Sequence, residues 1–288
     1  MTLVYRVTEA GEQSAADDRV LADLGAAAGV SDRGLRHARN EDAMALRQVR
    51  ADAMVVAIAD GVSMSQRPHE ASRVAVDVAV DVLAAAVLDR ADLVAATRDA
   101  SAEASAAVAA LQRCDDRGIA PACTFVSAVV VAGRVTVGWI GDSRAYWLAS
   151  LGGPPSRCLT TDDTWAGQAV RAGRETPQEA YGDGRGGPLW RWLGADADGE
   201  PAQVATLETS GSGTLLLCSD GLWNYMWNSE ELAALVHQAG GPLSAATRLT
   251  GIALESGGRD NITAVLVSVP AVHSSAPGRR LSVPGAVS

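Results

Sequence analysis

The chain has 288 residues, 48% of them apolar and 20% charged, which argues against a disordered chain and allows a large buried core. The net charge of −10 gives a surface that repels phosphate backbones, so nucleic acid is not expected as a main partner. No run of about 18 uncharged apolar residues occurs, so no helical membrane span is expected.

Residues 1–25 read as a polar, acidic N-terminal segment. They lack the basic-then-apolar layout of a secretory signal. The four cysteines, Cys114, Cys123, Cys158 and Cys218, form no C-x-x-C pair. A disulfide framework or zinc ribbon is therefore not expected, and the cytoplasm is the expected compartment. The apolar run "VVAIADG" ends abruptly in Asp60-Gly61. A helix is expected from Pro68 over "HEASRVAVDVAVDVLAAAVLDR", where Arg73, Asp77 and Asp81 recur every four residues. Its valines also alternate, so a strand competes there. A second, Ala-rich helix is expected over Ala91 to Gln112.

The period then shortens. Thr124 to Val131, Arg134 to Ile140 and Arg144 to Leu148 read as strands joined by tight turns, hence antiparallel hairpins. Residues 150–200 are rich in Gly, Pro, Arg and Asp and read as an irregular surface excursion. "GTLLLCSDGL" is a further strand ending in Asp-Gly. Helices follow over Glu230 to Gln238 and Pro242 to Glu255, then the strand "DNITAVLVSV". Residues 270–288 have tail composition. Paired helices and grouped hairpins predict an α+β fold of stacked antiparallel sheets covered by helices.

Acids recur at the mouths of the apolar runs. Asp60 lies in "AIADG", Asp142 in "WIGDSR", Asp220 in "LLCSDG" and Asp260 in "DNITAVLV", with Glu41 and Asp42 adjacent in "RNEDAM". A single Asp-Gly after a strand is an ordinary turn. Five such places that converge would repel one another and need cations. Oxygen-only ligands suit hard metals such as Mg²⁺ and Mn²⁺. His37, His69, His237 and His273 are scattered and offer no alternative metal site. No G-x-x-x-x-G-K-[ST] loop, strand-linked G-x-G-x-x-G or G-x-S-x-G elbow is present.

In order, "SDRGLRHARNEDA", "AIADG", "WIGDSRAYWL", "LTTDDTW", "LLLCSDGLW" and "GGRDNITAVLV" resemble the metal-dependent serine/threonine protein phosphatases of the protein phosphatase 2C family, bacterial type. The resemblance implies a four-layer αββα sandwich, two antiparallel β-sheets flanked by helix pairs, with a metal centre at one end. It implies a catalytic domain over residues 26–269, with a flap at about 163–193 that usually touches the substrate protein. It implies two Mn²⁺ or Mg²⁺ ions and a third, weaker one. Asp60 would bridge two metals, the Gly61 carbonyl would ligate one, and Asp220 and Asp260 would complete its shell. Glu41 would serve the second metal, and Asp142, with Asp220, the third. Asp42 would act on a metal water. The implied reaction is hydrolysis of phosphoserine and phosphothreonine by direct attack of an activated water. The implied partners are phosphorylated proteins and, by analogy, a serine/threonine kinase or its substrates.

Three positions depart from the pattern. Ser63-Met64 stands where the family has Gly-Gly, and Ala122-Cys123-Thr124 where it has Gly-Thr-Thr. The family's phosphate-binding Arg lies five residues before the Asp42 position, and here that residue is His37, flanked by Arg36 and Arg39. An extended segment would put Arg39 on one face with His37 and turn Arg36 away, making His37 or Arg39 the expected phosphate ligand. A phosphatase-fold binding or regulatory module with weakened catalysis is the alternative, and a small-molecule phosphohydrolase is a third.

Overall fold

The computed structural model describes residues 3–6, 19–113, 118–181 and 187–271. One strand shows how the sequence makes layers. In β5 (Ala53–Asp60), Met54, Val56 and Ile58 point one way and Val55, Ala57 and Ala59 the other, as a period of two demands. The first set joins Val126, Val137, Leu215, Leu217 and Val265 between two sheets. The second set meets α1 (Pro68–Asp89) and α2 (Leu93–Ala109). With one Phe in the chain, this outer contact is made of small groups. Ala43, Ala45, Ala57 and Ala59 face Ala71, Ala75 and Ala79, which lets the helix lie close on the sheet.

The first sheet runs β1 (Leu3–Arg6), β4 (Asp42–Arg50), β5, β7 (Phe125–Val131), β8 (Arg134–Ile140), β12 (Gln203–Glu208). The second runs β10 (Arg157–Cys158), β9 (Arg144–Ala149), β13 (Gly213–Cys218), β14 (Ile262–Val269), β3 (Ala27–Asp32), β2 (Arg19–Asp23). Its outer face, with Leu216, Cys218, Ala264 and Leu266, is covered by α5 (Asp220–Trp223), α6 (Ser229–His237) and α7 (Pro242–Glu255). A short ribbon pairs β6 (Ala122–Cys123) with β11 (Leu193–Gly194). The α+β, four-layer αββα sandwich is thus the observed fold. Each fully buried Val, Leu or Ile stabilises it by roughly 1.5–3 kcal/mol, so the apolar layers can carry a charged rim that does not help stability.

Some expectations change. Residues 3–6 and 19–23, within the segment read only as polar, are strands that extend both sheets through β4 and β3. β12 was not foreseen: an edge strand against β8, with none of its residues buried, has a weak apolar pattern. The competing strand over Pro68–Asp89 is overruled, because ten buried positions recur at helical spacing. The excursion over 150–200 contains α3 (Trp165–Arg171) and α4 (Pro177–Tyr181). Cys114 and the tail beyond Ala271 lie outside the described residues.

Candidate metal centre

Antiparallel pairing brings the acids to one rim. β4 begins where β5 ends, so Asp42 is the register partner of Asp60. In the second sheet Cys218 pairs with Ala264 on one side and Arg144 on the other. The residues just beyond, Asp220, Asp260 and Asp142, therefore leave the sheet at the same edge. Gly141 makes the β8–β9 turn with φ 102°, and a Cβ there would stand 2.8 Å from the Thr124 side chain.

Polar side chains on neighbouring strands fix the rim. Asp42 Oδ2 accepts from Ser219 Oγ at 2.7 Å and Thr263 Oγ1 at 2.6 Å. Thr124 N donates to the Asp60 carbonyl at 2.7 Å, and Asp60 N donates to Thr124 Oγ1 at 3.1 Å. Thr124 and Ser143 hydroxyls meet at 2.9 Å, which ties the Asp60 end to the Asp142 turn. Asn261 Oδ1 accepts from Glu41 N at 2.7 Å, and its Nδ2 donates to the Arg33 and Arg39 carbonyls. Asn261, Ser219, Thr263 and Thr124 hold the acids although none is an acid. Their signal in the sequence was only a polar residue beside a site acid or opening a strand.

The acids feel one another. Asp60 lies in the field of Asp42, Asp220, Asp260 and Asp142. Withdrawal from water first, and then these like charges, hold Asp60 and Asp220 well above the usual carboxylate range. Burial pushes Asp42 up to about 6 and Asp142 up to about 7, with Asp162 the largest repulsive neighbour of Asp142.

The remaining predicted residues fall into two groups. Gly61 and Glu41 adjoin the acids through Gly61 N donating to the Glu41 carbonyl at 3.2 Å. A Cβ on Gly61 would lie 2.7 Å from Pro68, so no side chain fits where α1 begins. Ser63 Oγ donates to Glu41 Oε2 at 3.0 Å, while Met64 beside it is 83% exposed. His37 Nε2 stands 3.1 Å from Asp260 Oδ1. Arg39 instead reaches His69 Nε2 at 2.6 Å. The extended-segment expectation is therefore corrected. Residues 33–40 form turns, closed by the Arg33 guanidinium on the His37 carbonyl, and period-two reasoning does not apply.

Among the described residues, no three His, Cys, Asp or Glu side chains form a closed metal-holding group. The donor set nevertheless fits a hard cation. It is all oxygen, its charges repel, and Asp42 Oδ1 and Asp220 Oδ1 are buried without a hydrogen-bond partner.

The protein phosphatase 2C family model matches residues 33–252. The serine/threonine protein phosphatase PstP of Mycobacterium tuberculosis is 34% identical over 242 residues, a match covering 83% of this chain and 44% of PstP. The chain thus spans less than half the length of that relative. The serine/threonine phosphatase stp of Listeria monocytogenes is 30% identical over 246 residues, covering 82% of this chain and 93% of stp. The crystal structure of the catalytic domain of PstP in complex with two manganese ions superposes with a TM-score of 0.65 at 29% identity, covering 84% of this chain and 97% of that one.

Proposed function

Because the chain belongs to the protein phosphatase 2C family, we propose that it is a metal-dependent phosphatase of phosphoserine and phosphothreonine in proteins. One observation carries the reading. Acids from five strand ends meet at one rim, mutually repelling, with two buried oxygens unpartnered.

Bound divalent cations, Mn²⁺ or Mg²⁺, would supply an activated water and neutralise charge on the phosphoryl group. Asp60, the Gly61 carbonyl, Asp220 and Asp260 would hold the first, Glu41 with Asp60 the second, and Asp142 with Asp220 a weaker third. Asp42 is gripped at Oδ2 by Ser219 and Thr263, which leaves Oδ1 to orient water and accept its proton. Attack on phosphorus is direct, so no protein nucleophile is required.

Arg39 is the better phosphate ligand of the two candidates. Its guanidinium is always charged, and His69 lends it only a neutral ring nitrogen, since burial and Arg39 itself lower the His69 pKa. Arg39→Ala should raise KM for a phosphothreonine peptide about tenfold with little change in kcat, as expected when uniform binding is lost. Arg36→Ala should leave KM unchanged. Steady-state kinetics on both, with His37→Ala beside them, decides; an unaltered KM in Arg39→Ala rejects the assignment.

The His37 contact with Asp260 favours one second reading, a binding module with weakened catalysis. It replaces the family's phosphate Arg with a side chain turned to an acid. Phosphate release from an aryl phosphate and a phosphothreonine peptide, with Mn²⁺ and then with chelator, separates the two. Metal-dependent turnover supports the phosphatase; its absence, with peptide binding retained, supports the module. Turnover of metabolites without peptides points to a small-molecule phosphohydrolase.

On the phosphatase reading the substrates are phosphoproteins, opposed by a serine/threonine kinase, in the cytoplasm. Cys123, Cys158 and Cys218 are free thiols among the described residues. Among the described residues, no helix is long and apolar enough to cross a membrane.

A further inference from the structure

β9 opens with an arginine that scarcely meets water. The Arg144 side chain is 4% exposed and that of its partner Asp162 is 2%. Arg144 Nε and Nη2 donate to the two Asp162 oxygens at 2.9 and 2.7 Å, and Nη1 donates to the Tyr146 hydroxyl at 3.1 Å. The guanidinium carbon lies 3.7 Å from the Trp223 ring centroid and 4.3 Å from that of Tyr181. The two rings meet edge to face, 5.9 Å between centroids. A buried pair of this kind gains little stability over well-packed apolar side chains, because desolvation offsets the attraction. Its effect is therefore sought in geometry.

Three neighbours of Arg144 lead to different parts of the site. Trp223 ends α5, whose first residue is Asp220, and its Nε1 donates to the Asp142 carbonyl at 2.8 Å. Asp162 precedes Asp163, whose carboxylate accepts from Gly141 N at 3.0 Å while its own N donates to the Gly141 carbonyl at 2.9 Å. Tyr181 ends α4, within the flap. The flap carries Trp165 and Trp190, 63% and 41% exposed, as apolar surface.

We propose that Arg144 is a positioning residue. It seats the flap, through its segment 163–181, against the Asp142–Asp220 side of the acidic rim, and so sets affinity for phosphorylated polypeptide rather than for small phosphate esters. The inference rests on the phosphatase reading for its substrates. A small ester occupies only the rim, where Arg39 and cations held by the carboxylates would receive its phosphate. A polypeptide must also lie along the flap, so a displaced flap weakens it selectively. Lysine cannot substitute, because a point charge neither forks onto Asp162 nor stacks on two rings.

The test uses Arg144→Lys and Tyr181→Leu in the full chain with Mn²⁺. KM and kcat are measured for para-nitrophenyl phosphate and for a phosphothreonine peptide, and amide hydrogen exchange is followed over residues 165–181. Expected is a peptide KM raised about tenfold in both variants, aryl phosphate kcat/KM within about twofold, and exchange about tenfold faster. Equal losses on both substrates, or an unchanged peptide KM, overturn the inference. If Arg144→Lys does not fold, Tyr181→Leu decides, since it leaves the Arg144–Asp162 pair in place. A wild type that turns over neither substrate defeats the phosphatase reading, and unchanged exchange in Tyr181→Leu then also overturns the seating.

Discussion

Asp220→Asn should lower Mn²⁺-dependent phosphate release by about 1,000-fold, equivalent to about 4 kcal/mol of barrier, and yet raise the melting temperature of the metal-free protein. Both effects have one cause. The Asp220 carboxylate is withdrawn from water and lies in the field of Asp142, Asp260 and Asp42. Without a cation that charge opposes the fold; with one it becomes a ligand. Asparagine keeps the shape and an oxygen for Asn224 Nδ2, which donates to Asp220 Oδ2 at 3.2 Å, but removes the charge. Each kcal/mol of relief should add about 2–4 °C for a chain of this size. Thermal unfolding in chelator, paired with phosphate-release assays, measures both. Full activity in the variant, or a lower metal-free melting temperature with native folding otherwise intact, would count against the centre.

Metal-free protein should also lose stability as pH rises from about 4 to 8, opposite to the usual acid-labile behaviour. The sign follows from the direction of the shifts. Asp42 rises from 3.8 to about 6 and Asp142 to about 7, so the folded chain holds protons that the unfolded chain has released. Stability from these groups is fully present below the unfolded pKa near 4 and is lost as pH passes 6 to 7. Asp60 and Asp220, raised further, extend the loss upward. For Asp42 alone the change is about 3 kcal/mol, at 1.36 kcal/mol per pK unit. Saturating Mn²⁺ should flatten the slope, because the cation takes the protons' place. Urea midpoints at pH 5 and pH 8, with and without Mn²⁺, test this. Equal midpoints without metal would reject the charge cluster.

The layers were legible because β-rich runs are parted by tight turns and α1 repeats its polar residues every four positions. The acids were legible because each stands at an abrupt end of an apolar run. What was hidden was long-range. Ser219 and Thr263 reach Asp42 across 177 and 221 residues, and no local period encodes that pairing. The Arg144–Asp162 pair went unread because burial of an ion pair leaves no mark in composition. Residues 33–40 were misread for a physical reason. An alternation argument assumes a strand, and Asn261 Nδ2 instead draws the Arg33 and Arg39 carbonyls into a turn.

The β4–β5 hairpin turns at Ala51–Asp52, and its ladder ends at the facing pair Asp42 and Asp60. Short-range pairing near the turn is expected to form first, with the rung carrying two like charges closing last. Repulsion at that end is then absent from the folding barrier and present in the finished structure. A cation bound there would act as a brake on unfolding, lengthening the lifetime of the native state while leaving the folding rate almost untouched.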